Sequence, residues 1–213
     1  MRIQLALDRL NKRRCFQLVE ATKEYVDWIE IGTGVIKEYG MEIIREMKEH
    51  YPEKVLVADM KTCDAGEHEA KQAFEAGADI TTVMAFSANQ TITAMLQEAR
   101  ASEKQLMVDL LGVSDQKRIE ELAQLGVEWM SLHFGKDMQQ QGEGLTEAAF
   151  SAMKGLSGVS VAVAGGIAEE TLPRIMLHKP ETVIVGSAIT KAEHPGVVAR
   201  RMKEVIEDYE VHH

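Results

Sequence analysis

The stretch VLVADMKTCDAG, Val55 to Gly66, decides the fold. Four apolar residues, Val55 to Ala58, open it without a break, the pattern of a strand buried on both faces in a parallel sheet. The character then changes to Asp59, Lys61 and Asp64, and a glycine closes the stretch. Side chains alternate along a strand, so Asp59 and Lys61 share a face. A carboxylate and an ammonium at a buried strand end are costly unless they pair or bind something. Read alone, the pair is either a structural ion pair capping the strand or part of a site.

Similar runs recur along the chain. IQLALD ends at Asp8, WIEIG carries Glu30, DITTVM ends at Met84, and QLMVDL carries Asp109. EWMSLH ends at His133, VSVAVAGG at Gly165 and Gly166, and TVIVGS contains Gly186. These marks stand roughly 22 to 31 residues apart, one strand-plus-helix unit each. Helical stripes lie between them: Ala70, Ala73, Phe74 and Gly77; Ile92, Met95, Leu96 and Ala99; Ile119, Leu122, Ala123 and Gly126. Ser87 with Gln90 reads as a capping box and Ser114 as an N-cap. Pro195 suits a first helical turn, with Val198, Met202, Val205 and Tyr209 facing inward. EAGAD (Glu75 to Asp79) and QLGVE (Gln124 to Glu128) read as helix ends turning on glycine.

Eight such units predict an α/β fold with a parallel sheet, and eight is the number that closes a (βα)8 TIM barrel. An open doubly wound sheet is the alternative. The 213 residues are expected to form one domain over residues 1–213, near the lower size limit of the barrel. The polar, glycine-bearing segment Gly135 to Gly144 is expected to be either a surface loop or an active-site lid.

The bulk numbers exclude several classes. The formal net charge is −10, with no basic run, so nucleic acid is not an expected partner. No stretch approaches the ~20 apolar residues of a membrane span, and no membrane association is expected. MRIQLALDRL carries too short an apolar run for a signal peptide. Cys15 and Cys63 are the only cysteines. Neither has metal-ligand spacing, so free thiols and a cytoplasmic setting are expected. His50, His68, His178 and His194 fall in or beside predicted helices and read as surface residues.

The polar residues are informative by position. Asp8, Glu30, Asp59, Lys61, Asp109 and His133 all fall at or near the C-terminal ends of predicted strands, the rim where barrels build active sites. Any one alone has a structural reading. Six on five strands each need their own compensation, which favours a shared site. AVAGGI (Ala162 to Ile167) and IVGSAI (Ile184 to Ile189) close the last two strands. Ala164, Gly165, Gly166, Gly186 and Ser187 there form turns whose N–H groups can hold a phosphate, although glycine also serves such turns without a ligand. Glu30 and Asp59 are hard oxygen donors on neighbouring strands and suit Mg²⁺.

The motifs ADMKTCDAGEHEA, LHFGKD, AVAGGI and IVGSAI resemble the 3-hexulose-6-phosphate synthases. These belong with the 3-keto-L-gulonate-6-phosphate decarboxylases in the orotidine-monophosphate-decarboxylase suprafamily. The resemblance runs from Met1 to about Tyr209, and Asp59-x-Lys61-x-x-Asp64 is its most specific part. It implies a (βα)8 homodimer with sites at the interface, where Asp64 reaches into the neighbour's site. It also implies Glu30 and Asp59 as metal ligands and the AGG and VGS turns as the phosphate holder. Asp109, in place of a glutamate, and Lys136, in place of an arginine, point to the synthase branch. Phe134 departs from the threonine usual in that branch.

The implied reaction joins formaldehyde to ribulose 5-phosphate through a Mg²⁺-stabilised enediolate. His133 is the candidate base, because an imidazole titrates near working pH. Lys61 is the cation beside the reacting oxygen, and Asp8 and Asp109 are expected to orient Lys61 or sugar hydroxyls. A Schiff base on Lys61 is the rival mechanism, disfavoured because flanking acids keep the amine charged. A non-catalytic sugar-phosphate sensor would need only the phosphate turns. An epimerase would need histidines on the second or third strand, where this chain has none.

Overall fold

The computed structural model describes residues 1–135, 137 and 146–212. Lys136 and most of the expected 135–144 loop lie outside the described residues. The chain alternates strands and helices in the order β1 (Arg2–Leu7), α1 (Lys12–Thr22), β2 (Trp28–Ile31), α2 (Thr33–Tyr39), α3 (Glu42–His50) and β3 (Val55–Thr62). There follow α4 (Gly66–Glu75), β4 (Ile80–Met84), α5 (Asn89–Ala101), β5 (Gln105–Asp109), α6 (Gln116–Gln124) and β6 (Trp129–His133). The rest is α7 (Glu147–Met153), β7 (Ser160–Ala164), α8 (Leu172–Met176), β8 (Thr182–Val185), α9 (Ser187–Thr190) and α10 (Pro195–His212).

All neighbouring strands pair in parallel, and β1 pairs with both β2 and β8, so the sheet closes into the (βα)8 barrel. The open doubly wound alternative is thereby excluded. Among the described residues, no helix is long and apolar enough to cross a membrane.

The period-two pattern of the strands builds two cores. Ile3, Leu5 and Leu7, Ile29 and Ile31, and Val183 and Val185 face outward and pack under the helices. Trp28, Val57, Ile80, Met107, Trp129 and Ala162 face inward and fill the barrel. The Trp28 and Trp129 rings lie 5.1 Å apart, and the Arg2 guanidinium stands 5.2 Å and 5.7 Å from them. This cation–π stack occupies the N-terminal end of the interior. Each buried Leu or Ile contributes about 1.5–3 kcal/mol, against ~0–1 kcal/mol for a surface ion pair. The apolar alternation therefore sets the strand register.

Some local expectations shift. Ser87 does not cap α5: Ala88 holds the N-cap position, and the Ser87 hydroxyl donates to the Thr62 carbonyl at 3.2 Å. The cap of α6 is Asp115, one residue after Ser114, and its carboxylate accepts from the Lys117 N–H. In α10 the fully buried stripe is Ala199, Met202 and Ile206, while Val198, Val205 and Tyr209 are only partly buried beside it. His178 is partly buried rather than fully exposed, its ring stacked flat on Phe150 at 3.7 Å. His50, His68 and His194 are exposed. The glycine joints hold, with Gly77 and Gly126 at φ +104° and +88°.

Gly66 sets how closely α4 and α5 approach. A Cβ there would lie 2.4 Å from the Thr91 carbonyl oxygen and 2.7 Å from Met95 Cγ. Gly66→Ala is expected to destabilise the fold by about 1–3 kcal/mol through overpacking, read as a lower urea midpoint at unchanged slope.

Candidate active site

Every strand runs the same way, so stepping two residues along the inner face moves one level towards the C-terminal rim. That step changes the chemistry: Trp28 gives way to Glu30, Val57 to Asp59 and then Lys61, Ile80 to Thr82, Met107 to Asp109, and Trp129 to Ser131 and then His133. The interior is therefore apolar below and polar above, and a cavity of about 560 Å³ opens over the polar level.

At its floor the charges form one chain. Lys61 Nζ lies 2.9 Å from both oxygens of Asp59 and 2.7 Å from Asp109 Oδ2. His133 Nδ1 lies 2.9 Å from the same Asp109 oxygen. Asp59 is further held by the hydroxyls of Thr33 and Thr82, each donating at 2.9 Å. Lys61 reaches both acids from a left-handed backbone, φ +48°, where the pairing of β3 with β4 shifts register. The strand is thus irregular at the point where plain alternation was expected.

The titration behaviour follows from this packing. Burial alone would push Lys61 down, but the charges of Asp59 and Asp109 overcome it and hold the ammonium above its ordinary value. Asp109 is buried, which favours its neutral form, yet His133 and Lys61 pull it down to about 2. Burial lowers His133, and the Asp109 hydrogen bond and charge more than offset that, so the imidazole titrates above its ordinary 6.5. An ionised Asp109 makes Nδ1 the protonated nitrogen and leaves Nε2 the basic one in the neutral ring. Glu30 is pushed up to about 7, first by burial and then by the Asp59 charge. The Gln4 amide donates to it, which leaves the amide oxygen of Gln4 buried without a partner.

Among the described residues, no group of three or more His, Cys, Asp or Glu forms a metal-ligand cluster. Glu30 on β2 and Asp59 on neighbouring β3, two residues beyond Glu30's register partner Val57, nevertheless fit a hard dication that draws its other oxygens from water and substrate. Burial first and the Asp59 charge second raise Glu30, and a cation held there would oppose both effects on its ionised form.

Across the barrel, Ala164, Gly165, Gly166, Gly186 and Ser187 line the same cavity. Gly165 and Gly166 have φ +113° and +67°, and a Cβ on Gly165 would meet the Phe134 carbonyl oxygen at 2.5 Å. Asp8 lines the cavity too, but its carboxylate accepts from the Gly34 N–H at 2.9 Å and pairs with Arg9 rather than meeting Lys61. Asp64 is exposed on the turn after β3 and does not line the cavity of its own chain.

The sequence model of the orotidine 5'-phosphate decarboxylase / HUMPS family matches residues 1–202. The chain belongs to this family. It is 38% identical to a Bacillus subtilis 3-hexulose-6-phosphate synthase over 207 residues, 97% of this chain and 99% of that protein. A Staphylococcus aureus protein of the same name is 36% identical over 208 residues, again 97% and 99% of the two chains. Among solved structures, 3-hexulose-6-phosphate synthase from Salmonella typhimurium superposes with a TM-score of 0.95 at 35% identity, covering 98% of this chain and all of that one. A Vibrio cholerae 3-keto-L-gulonate-6-phosphate decarboxylase gives 0.87 at 30% identity, with 98% of each chain covered.

In this member of the HUMPS family, sequence reasoning missed Gln4, Thr33, Thr82 and Ser131. Three of them lay within reach of the counting that found the charged residues: Gln4 precedes Asp8 by four, Thr82 follows Ile80 by two, and Ser131 precedes His133 by two. Thr33 begins α2 and carries no such periodic signal.

Asp109→Asn removes the group that raises His133 and keeps the burial and Lys61 that lower it. The His133 imidazole is therefore expected to titrate at lower pH in the variant than in the wild type, followed by NMR of its ring nitrogens.

Proposed function

We propose that the chain is a Mg²⁺-dependent aldehyde-lyase that condenses formaldehyde with D-ribulose 5-phosphate to D-arabino-hex-3-ulose 6-phosphate, reversibly. The observation that carries this reading is the chain His133–Asp109–Lys61–Asp59 in one cavity with the two glycine turns, Lys61 standing across it from the β7 turn and His133 beside that turn. In a closed eight-stranded barrel, β3 and β7 stand opposite. A sugar phosphate anchored at the turns therefore extends its far end, the first two carbons, towards Lys61, with His133, on β6 next to β7, flanking its path. Synthases 36–38% identical along almost their whole length support the same reading.

His133 Nε2 removes a proton from the first carbon of ribulose 5-phosphate, and Asp109 keeps the ring turned and stabilises its protonated form. Lys61 stays an ammonium beside the oxygen of the second carbon, where negative charge gathers as the enediolate forms. Glu30 and Asp59 would hold the Mg²⁺, which would supply further positive charge to oppose that of the enediolate. The first carbon then bonds to formaldehyde, and the formaldehyde oxygen takes up a proton to become the new hydroxyl. Since His133 must start neutral, activity falls as pH drops through its raised pKa. Asp8 would serve sugar hydroxyls near the cavity mouth.

A second reading, decarboxylation of 3-keto-L-gulonate 6-phosphate, is favoured by the likeness to the Vibrio cholerae structure. The two reactions share the enediolate, so an assay must run both. The expected result is Mg²⁺-dependent condensation that outpaces decarboxylation, and the reverse order would select the second reading. His133→Asn is expected to slow proton exchange at the first carbon of ribulose 5-phosphate in D₂O, without formaldehyde, by about 10²- to 10⁴-fold.

The exposed position of Asp64 supports a homodimer in which each site borrows it from the neighbour. Lys61→Ala and Asp64→Asn, each inactive alone, are expected to regain activity when mixed and allowed to exchange subunits, because the mixed dimer holds one intact site. Unrestored activity in verified mixed dimers would place Asp64 in its own chain's site. A cytoplasmic setting goes with this reading, with Cys15 and Cys63 as free thiols.

A further inference from the structure

Lys61 holds its ammonium in place from a backbone that residues with a Cβ rarely adopt, φ +48°. Nothing in Met60–Lys61–Thr62 is a glycine, so the conformation must be imposed by what surrounds it. It falls where the ladder between β3 and β4 slips, between Ala58 and Thr62. At such a slip a backbone donor loses its regular partner. Here the Lys61 N–H donates to Thr82 Oγ1 at 2.9 Å. The same hydroxyl donates its own proton to Asp59 Oδ1 at 2.9 Å. A threonine hydroxyl can do both at once, with one proton to give and lone pairs to accept. Thr82 is 5% exposed, so water has little access to replace it.

One hydroxyl therefore ties the side chain of Asp59 to the main chain of Lys61. We propose that Thr82 is a positioning residue that locks the irregularity of β3 and so aims the Lys61 ammonium at Asp59 and Asp109. Without it, a part-buried N–H is left unpaired and Asp59 loses a donor. The strand then gains by relaxing towards a regular ladder, and a change of one residue in register turns a side chain to the other face.

The inference rests on the reading in which Lys61 acts on a ketose phosphate, and its test separates the two. Thr82→Val keeps the shape and removes the hydroxyl, while Thr82→Ser keeps the hydroxyl. In Thr82→Val the Lys61 amide is expected to exchange with D₂O at least about tenfold faster than in the wild type. Its kcat for condensation is expected to fall about 10- to 100-fold, with KM for ribulose 5-phosphate within about threefold, since the phosphate turns are untouched. Thr82→Ser should restore both. An unchanged Lys61 amide and kcat in Thr82→Val, a joint loss that serine does not restore, or a wild-type Lys61 amide already unprotected would each overturn the assignment. Should Thr82→Val not fold, a serine variant that exposes the Lys61 amide overturns it, and one that keeps it protected at near-wild-type kcat upholds it. A wild type with no turnover would defeat the functional reading instead, while the exchange measurement would still judge Thr82.

Discussion

The constraint on which the site depends is charge balance in a closed space. Glu30, Asp59 and Asp109 are each less than a tenth exposed, and among the described residues Lys61 is the one ammonium in contact with the two aspartates. Desolvating an ion costs several kcal/mol, and pairing returns that cost only when the geometry is good. The chain from Asp59 through Lys61 and Asp109 to His133 satisfies it for two of the three acids. Glu30 is left over, and its pKa rises. The remainder is what a dication, or the developing positive charge on His133, would answer. Such an array adds little to stability, which comes from the apolar layers, so its retention in the interior needs a chemical reason.

The barrel makes this arrangement tolerable by separating functions along one axis. Below, the Trp28–Trp129 pair under Arg2 excludes water and fixes the strands. Above, the same strands present polar groups two residues further on. A charged residue at the lower level would meet aromatic faces instead of acids and hydroxyls. The upper level offers Thr33 and Thr82, which complete the hydrogen bonding of Asp59 that Lys61 alone would leave unfinished.

How much of this the sequence shows depends on whether a feature is periodic. The eight strands are legible because Ile3, Leu5 and Leu7, or Leu106 and Val108, repeat at two, and the helices because Ile92, Met95, Leu96 and Ala99 repeat at three and four. The charged rim is legible because Asp109 and His133 interrupt apolar runs. Thr82 and Ser131 are hidden for the opposite reason, since a hydroxyl on a β-strand is ordinary. The bend at Lys61 is hidden because no glycine announces it. The caps of α5 and α6 miss by one residue: at α5 the cap is Ala88, which has no side-chain acceptor to announce it, and at α6 Asp115 beside Ser114 has capping chemistry of its own.

His133 and the glycine turn after β7 are also mechanically joined. The N–H of Phe134, next to His133, donates to the carbonyl of Ala164 at 3.0 Å. Gly165 then passes so close to Phe134 that a Cβ would lie 2.8 Å from the Phe134 Cβ. The strand that carries the imidazole and the turn after β7 thus share one hydrogen bond and one close contact. A displacement of either strains the other, which ties the place of the imidazole to that of the turn.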